Sequence, residues 1–217
     1  MVNCEHPIYI VGGGGHAVSV ASALLSNGFE PCSFICDKSV GNHILGVPVI
    51  DSHAPIEHSE PNFFIAVGDN FTRKKIYQGY RQKFPNAKFP SFIHQSSLVG
   101  CGVSVGDATV VMPRVFIGPR SVVGDGCLIN TGAIIEHDCV VDPFSSIAPG
   151  VCCGGRVRLG ALSALGIGAN IKHGITIGAA TVVGANSYVN KDIPDNVVAY
   201  GLPCRIINSR KAEDTYL

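Results

Sequence analysis

The chain has 217 residues, 46% of them hydrophobic and only 15% charged, with sixteen Lys and Arg balanced by sixteen Asp and Glu. That neutrality excludes the basic footprint of a nucleic-acid binder and the polybasic patch of a membrane-surface protein. Without a run of eighteen apolar residues or a signal-peptide pattern before Ile8, neither membrane insertion nor secretion is predicted, and a cytoplasmic protein is expected.

Residues 7–11 read as a short buried strand, 12–15 as a glycine turn and 17–26 as a helix ended by Asn27-Gly28. A second strand is predicted over 33–36, closing on Asp37, and a third over 63–67, followed by Gly68-Asp69-Asn70. A second helix is predicted over 71–83, with Pro85 stopping it. Alternating strands and helices imply a small parallel sheet, a Rossmann-like α/β domain over residues 1–90. Within it Gly12, Gly14 and Ala17 match G-x-G-x-x-A between a strand and a helix. Backbone N–H groups of Gly13, Gly14 and Gly15 can hold a phosphate there, and Asp37 lies where a ribose-binding carboxylate belongs. The competing reading is a tight turn without a ligand. His16 crowns the loop, either to bond a phosphate or sugar hydroxyl or simply to face water.

From Val99 onward an aliphatic residue recurs every six positions to Val189, sixteen positions with no phase slip and only Cys153 not aliphatic. The next residue is usually small, as in Gly100, Gly106, Gly118 and Gly124. Four residues after the aliphatic position comes another small or β-branched one, such as Thr109, Ser121, Cys127 or Ser145. A period of six is neither helical nor an alternating strand. It fits a chain that turns a corner every six residues, three hexads to a triangular coil and about five coils in all, with aliphatic residues stacked inside. Glycine beside them is expected to relieve backbone strain at the corners. The solenoid is predicted over 91–195, and the tail over 196–217 leaves the pattern, with a turn at Gly201-Leu202-Pro203 and a helical or frayed end.

Glu136-His137-Asp138 interrupts the small-residue rhythm, and a carboxylate beside an imidazole fixes its tautomer and suits it to general-base work. The bland alternative is a charged solvent-facing corner. The nine cysteines contain no C-x-x-C pair, and His43, His53, His58 and His94 have no ligand spacing, so no metal site is predicted. Cys152-Cys153 lacks an acid–base partner in sequence, and no G-x-S-x-G elbow is present.

These residues together resemble the hexapeptide-repeat acyltransferases, and nearly the whole chain is similar to bacterial sugar N-acetyltransferases of the PglD and NeuD type. The resemblance rests on residues 8–17, 34–37 and 66–70, the hexads, and Gly201-Leu202-Pro203. It implies a left-handed parallel β-helix, a homotrimer, acetyl-CoA as co-substrate and a nucleotide-linked amino sugar, UDP-linked in expectation, as acceptor in glycan biosynthesis. By the match at 129–139, His137 is the general base and Asp138 its orienting acid, with direct transfer and no metal. Asn130, His16, Gly68 and Asn70 would line the sugar site, and Asp37 would contact the nucleoside. Ser146, Gly155, Ile167, Ala179 and Ala185 are the acetyl-CoA candidates, with the N–H groups of Gly154 and Gly155 as an oxyanion site. Many relatives carry histidine where this chain has Ser146, so that histidine's role does not transfer. Sugar O-acetylation, an NAD-dependent oxidoreductase and a non-catalytic scaffold are the competing readings; the N-terminal half is too short for a six-stranded dinucleotide fold.

Overall fold

The computed structural model describes residues 6–36 and 41–216. It opens with a five-stranded sheet built from β1 (Ile8–Val11), β2 (Pro31–Ile35), β3 (His43–Ile44), β4 (Val47–Ile50) and β5 (Asn62–Ile65), in the order β3-β4-β2-β1-β5. The central strands pair in parallel, and β1 and β5 are buried along their whole length. Continuous apolar runs such as Ile8-Tyr9-Ile10-Val11 suit strands covered on both faces. Two helices serve the sheet, α1 (Gly15–Ser26) and α2 (Asn70–Lys83). Asp69 caps α2 by accepting from the Thr72 N–H at 2.9 Å.

The predicted elements recur with shifted ends, and the hairpin β3–β4 is an addition. Its two-residue turn, Leu45-Gly46, has positive φ at both positions, 52° and 79°, as the twist of a tight hairpin demands. Leucine in the left-handed region hid that turn from a search for Asn-Gly or Gly-Gly pairs.

From Phe92 the chain winds into a parallel solenoid of seventeen two-residue strands, β6 (Phe92–Ile93) to β22 (Tyr188–Val189). They stack in three sheets. The first face carries Leu128–Ile129, Ser146–Ile147, Ala164–Leu165 and Val182–Val183 in register. The second carries Phe116–Ile117, Ile134–Ile135 and Cys152–Cys153. The third carries Val122–Val123 and Val140–Val141. In each coil the second residue of the strand points inward, so Ile117, Ile129, Ile135 and Ile147 are fully buried. Each such side chain contributes about 1.5–3 kcal/mol by leaving water. The small residue four positions later also points inward. Thr109, Ser121, Ser145 and Ser163 donate to carbonyls of the next coil at 2.6–2.9 Å, so these interior hydroxyls are satisfied.

The corner glycines have a different cause from the expected one. Left-handed backbone falls three residues after the aliphatic position, at Arg114, Arg120, Asp138, Phe144 and Arg156 among others, so most of these corners are not glycine. Gly118 and Gly154 lie at the close approach of successive coils. A Cβ on Gly118 would lie 2.6 Å from the His137 nitrogen, and one on Gly154 would lie 2.7 Å from that of His173. The small-residue rhythm is therefore a packing requirement between coils.

After β22 the chain forms an antiparallel hairpin, β23 (Val197–Gly201) and β24 (Cys204–Ser209), which extends the first face. The tail is thus a strand pair followed by a short strap, not a helix. The α/β unit packs on the first face, where Val110, Met112 and Leu128 join the core of Ile8, Ala17 and Leu24. Arg73 of α2 pins this junction. Its buried guanidinium donates to the carbonyls of Gly126 at 2.8 Å, Gly68 at 2.9 Å, Val67 at 3.0 Å and Phe144 at 3.1 Å, and to Asn70 Oδ1 at 2.6 Å. Burial lowers its pKa to about 10, so it stays charged at neutral pH. Among the described residues no helix is long and apolar enough to cross a membrane, and no cluster of three or more His, Cys, Asp or Glu could hold a metal.

Candidate active site

His137 and Asp138 occupy the prism edge between the second and third faces. His137 Nδ1 is 2.6 Å from Asp138 Oδ2. An ionised carboxylate only accepts, so Nδ1 carries the proton, and the neutral form of the ring then has its lone pair on Nε2. Asp138 also receives two bonds from Arg120, Nε to Oδ1 at 2.7 Å and Nη2 to Oδ2 at 2.8 Å. The Arg120 bonds first, and then the His137 bond, hold the Asp138 carboxyl far below the usual carboxylate range. Arg120 and Asp138 are both left-handed corner residues, φ 60° and 59°. They lie one coil apart on the same edge, which is why their side chains meet. Sequence reasoning missed Arg120; writing the hexads in rows of eighteen places it directly above Asp138.

One coil further on, Gly155 faces the His137 imidazole. A Cβ there would lie 2.5 Å from Nε2 and 2.6 Å from Cε1, so the ring occupies the space a side chain would fill. The Gly154 N–H is committed to Ile171 O at 2.9 Å, which removes it from the expected oxyanion pair. The Gly155 N–H has no partner among the described residues.

A second feature lies on the edge between the first and second faces. A cavity of about 440 Å³ is lined by His16 and Gly68 from the α/β unit, by Asn130, Ser146, Ile167 and Ala185 from successive coils, and by Tyr216 from the C-terminal strap. Six of the predicted binding residues meet there. Its floor descends through Leu128, Ala164 and Val182, three coil spacings or about 14 Å, giving an apolar groove with a polar upper end. Asn130 Nδ2 donates to Ile147 O at 3.0 Å. His16 Nε2 is buried with no hydrogen-bond partner among the described residues. Burial, and then the nearby Arg73 cation, lower the His16 pKa to about 4. Tyr216 belongs to no repeat and gave no signal in the sequence.

Other expected residues lie elsewhere. Asn70 is buried at the junction, where its Nδ2 donates to Ser163 O at 3.0 Å and its Oδ1 accepts from Arg73. It fastens α2 to the solenoid rather than facing a substrate. Ala179 is on the third edge, its N–H bonded to Asp195 Oδ1 at 2.7 Å, away from Ile167 and Ala185. Gly155 belongs to the His137 edge, not to the groove. Gly13 and Gly14 form the loop before α1 and Gly15 is its first residue, at an N-terminus with no side-chain cap. A Cβ at Gly12 would lie 2.7 Å from Ala66 O, so glycine is needed there for the close crossing of two βα loops. Asp37 lies outside the described residues.

Comparison with known proteins places these features in a family. Residues 7–80 match the model of the PglD N-terminal domain. A variant of GDP-perosamine N-acetyltransferase from Caulobacter crescentus, solved with CoA and GDP-perosamine, is 33% identical with a TM-score of 0.84, over 94% of this chain and 97% of that one. The acetyltransferase domain of PglB from Neisseria gonorrhoeae is 29% identical with a TM-score of 0.86, over 93% of this chain and 100% of that one. Among curated sequences, a galactoside O-acetyltransferase from Lactococcus lactis is 51% identical over 51 residues, 24% of either chain. The chain thus spans about a quarter of the length of such curated relatives. Its solenoid is left-handed, as in the structural neighbours. The chain belongs to the hexapeptide-repeat sugar N-acetyltransferases of the PglD type.

Proposed function

We propose that this protein transfers an acetyl group from acetyl-CoA to the amino group of a nucleotide-linked amino sugar in glycan biosynthesis. The observation that carries this is the His137–Asp138 pair, with Nε2 lying against Gly155. The amine attacks the thioester carbonyl, the C–N bond forms as the C–S bond breaks, and Nε2 takes the amine proton and returns it to the departing thiolate. Asp138 holds the required tautomer. The unpaired Gly155 N–H is the donor for the developing oxyanion. No covalent enzyme intermediate is needed, because orientation of two bound substrates supplies much of the rate. The apolar groove suits the slender arm of acetyl-CoA, and the glycine loop of α1 suits a nucleotide diphosphate.

Within one chain the groove and His137 lie on different prism edges, and no groove residue comes from the His137 corner. Between them runs the second face, whose outward ladder of Leu98, Phe116, Ile134 and Cys152 is largely apolar, with Leu98 65% and Ile134 38% exposed. We infer that this face meets another copy in a closed trimer, where one copy's groove edge faces its neighbour's His137 edge.

O-acetylation of a sugar hydroxyl is the second reading, supported by the galactoside O-acetyltransferase match. A thiol-release assay with acetyl-CoA separates the two, using UDP-, GDP- and dTDP-linked 4-amino sugars and free sugars. A UDP-linked 4-amino sugar is the acceptor of first choice, with the GDP-linked one included because of the perosamine relative. Turnover of one amino sugar that falls about 10²–10⁴-fold in His137→Ala is expected; undiminished turnover in that variant refutes the base assignment. Ile134→Arg is expected to give a folded monomer by light scattering that releases no thiol.

A further inference from the structure

After β24 the chain returns along the solenoid to the groove. The buried Arg210 fastens this strap, donating from Nη1 to Ala180 O at 2.6 Å and from Nη2 to the Asp214 carbonyl. The Lys211 N–H donates to Asp214 Oδ2 at 2.8 Å, and the Arg210 guanidinium lies 5.7 Å from the centre of the Tyr216 ring, within cation–π range. The strap thereby inserts Tyr216 into the upper end of the groove, beside His16 and Ser146.

The Tyr216 hydroxyl accepts from the Asn70 N–H at 3.2 Å. Its own proton has two acceptors in range, Ser146 Oγ and Gly68 O, both at 3.4 Å, well beyond the usual length for an O–H donor. The Ser146 hydroxyl has no other bond among the described residues. His16 Nε2, lining the same cavity, is buried with none. Three polar atoms with unspent hydrogen-bonding capacity thus share one end of an otherwise apolar groove. Buried polar groups in native proteins are nearly always satisfied, so a shared deficit marks the place where a ligand completes the set.

We propose that Tyr216 is a substrate-positioning residue: its hydroxyl, together with Ser146 Oγ and His16 Nε2, binds a neutral oxygen of the substrate at the upper end of the groove, and the Arg210 strap holds it there. The proposal rests on the groove being the substrate site. An uncharged imidazole and two hydroxyls suit a thioester carbonyl or a sugar hydroxyl. They offer no counter-charge to a phosphate, since the neighbouring Arg73 cation is already ringed by carbonyl oxygens.

Tyr216→Phe in the full chain tests this, because it keeps the ring over Arg210 and removes only the hydroxyl. Thiol-release kinetics and the melting temperature are measured for wild type, Tyr216→Phe and Ser146→Ala. The expected result is a rise in KM of about 5–30-fold for one substrate, the worth of one or two hydrogen bonds, with the melting temperature lowered by no more than about 2–4 °C in Tyr216→Phe, where the Asn70 N–H loses its acceptor, and unmoved in Ser146→Ala. A shift for acetyl-CoA identifies the oxygen as the thioester carbonyl, and a shift for the acceptor identifies a sugar hydroxyl. If wild type turns over and Tyr216→Phe matches it in kcat and both KM values, the proposal is overturned. It is also overturned if the loss in rate only tracks a loss in melting temperature. Wild type that neither releases thiol nor binds CoA overturns the reading of the groove, and this proposal with it.

Discussion

Gly155→Ala is the most discriminating perturbation of the proposed base, because it adds one methyl group and removes nothing. The new Cβ would lie 2.5 Å from His137 Nε2, 2.6 Å from Cε1 and 3.0 Å from Cδ2. Carbon and nitrogen in contact prefer about 3.5 Å, so the imidazole must withdraw by about 1 Å. Gly155 does not have left-handed backbone, so alanine is tolerated by the chain, and its lower unfolded-state entropy adds up to about 1 kcal/mol of stability. The Gly155 N–H is retained. A displacement of this size in a reacting group costs about 10²-fold in rate. We expect kcat in the thiol-release assay to fall by that order, with the melting temperature equal or higher. In a His137→Ala background the same methyl is expected to cost nothing further, because both changes act through one side chain. Full activity in Gly155→Ala, or an additive loss in the double variant, refutes the claim that Nε2 works from its place against Gly155.

Two further predictions concern the junction of the α/β unit with the solenoid. The His16 pKa is lowered to about 4 in the folded state against an ordinary 6.5, so between those values the unfolded chain binds a proton that the folded chain does not. Stability is complete above about pH 6.5 and falls as the pH drops, by about 3 kcal/mol at pH 4. His16→Gln is expected to remove that part of the slope in urea unfolding between pH 7 and 4, and parallel curves for the two proteins contradict it. Arg73→Met leaves the carbonyls of Gly126, Gly68 and Phe144 without their donor. A loss of about 3–5 kcal/mol is expected by denaturant titration, and a loss under about 1 kcal/mol means that these bonds do not hold the two units together.

The solenoid was legible because its period is a physical requirement met at sixteen positions: one inward apolar residue per strand, aliphatic at all but Cys153. The α/β layer was legible through glycine punctuation and short apolar runs, although Leu45 in the hairpin turn carried no such mark. The role given to the small residues was wrong in an instructive way. A one-dimensional pattern shows that Gly118 or Gly154 must be small, but not whether torsion or a neighbouring coil demands it; the collision with the next coil's backbone decides that. His137 and Asp138 stood out as a local break in rhythm. Arg120 did not, because its partnership runs between coils and only the eighteen-residue stacking brings it to Asp138. Tyr216 was invisible, since a strap outside the repeat finds its partners through the fold alone. Asn70 shows the converse: a polar residue after a strand resembles a ligand-binding position until its amide is seen to be consumed by Ser163 and Arg73.

The separation of the two site features follows from the prism itself. One hexad carries the chain from edge to edge, so the corner holding Ile167 and Ala185 and the corner holding His137 are on the order of 15 Å apart at any level of the solenoid. A general base must come within about 3 Å of the proton it removes, and side-chain motion on a stack of hydrogen-bonded coils does not close such a gap. The β-helix therefore holds His137 and the groove rigidly on separate edges, and the association proposed along the apolar second face is what would join them. The same geometry explains why the repeat can be so regular yet catalytic. The small-residue rule is broken by Glu136 just before His137 on one edge and by Asn130 on another, while the packed interior that sets their spacing stays untouched.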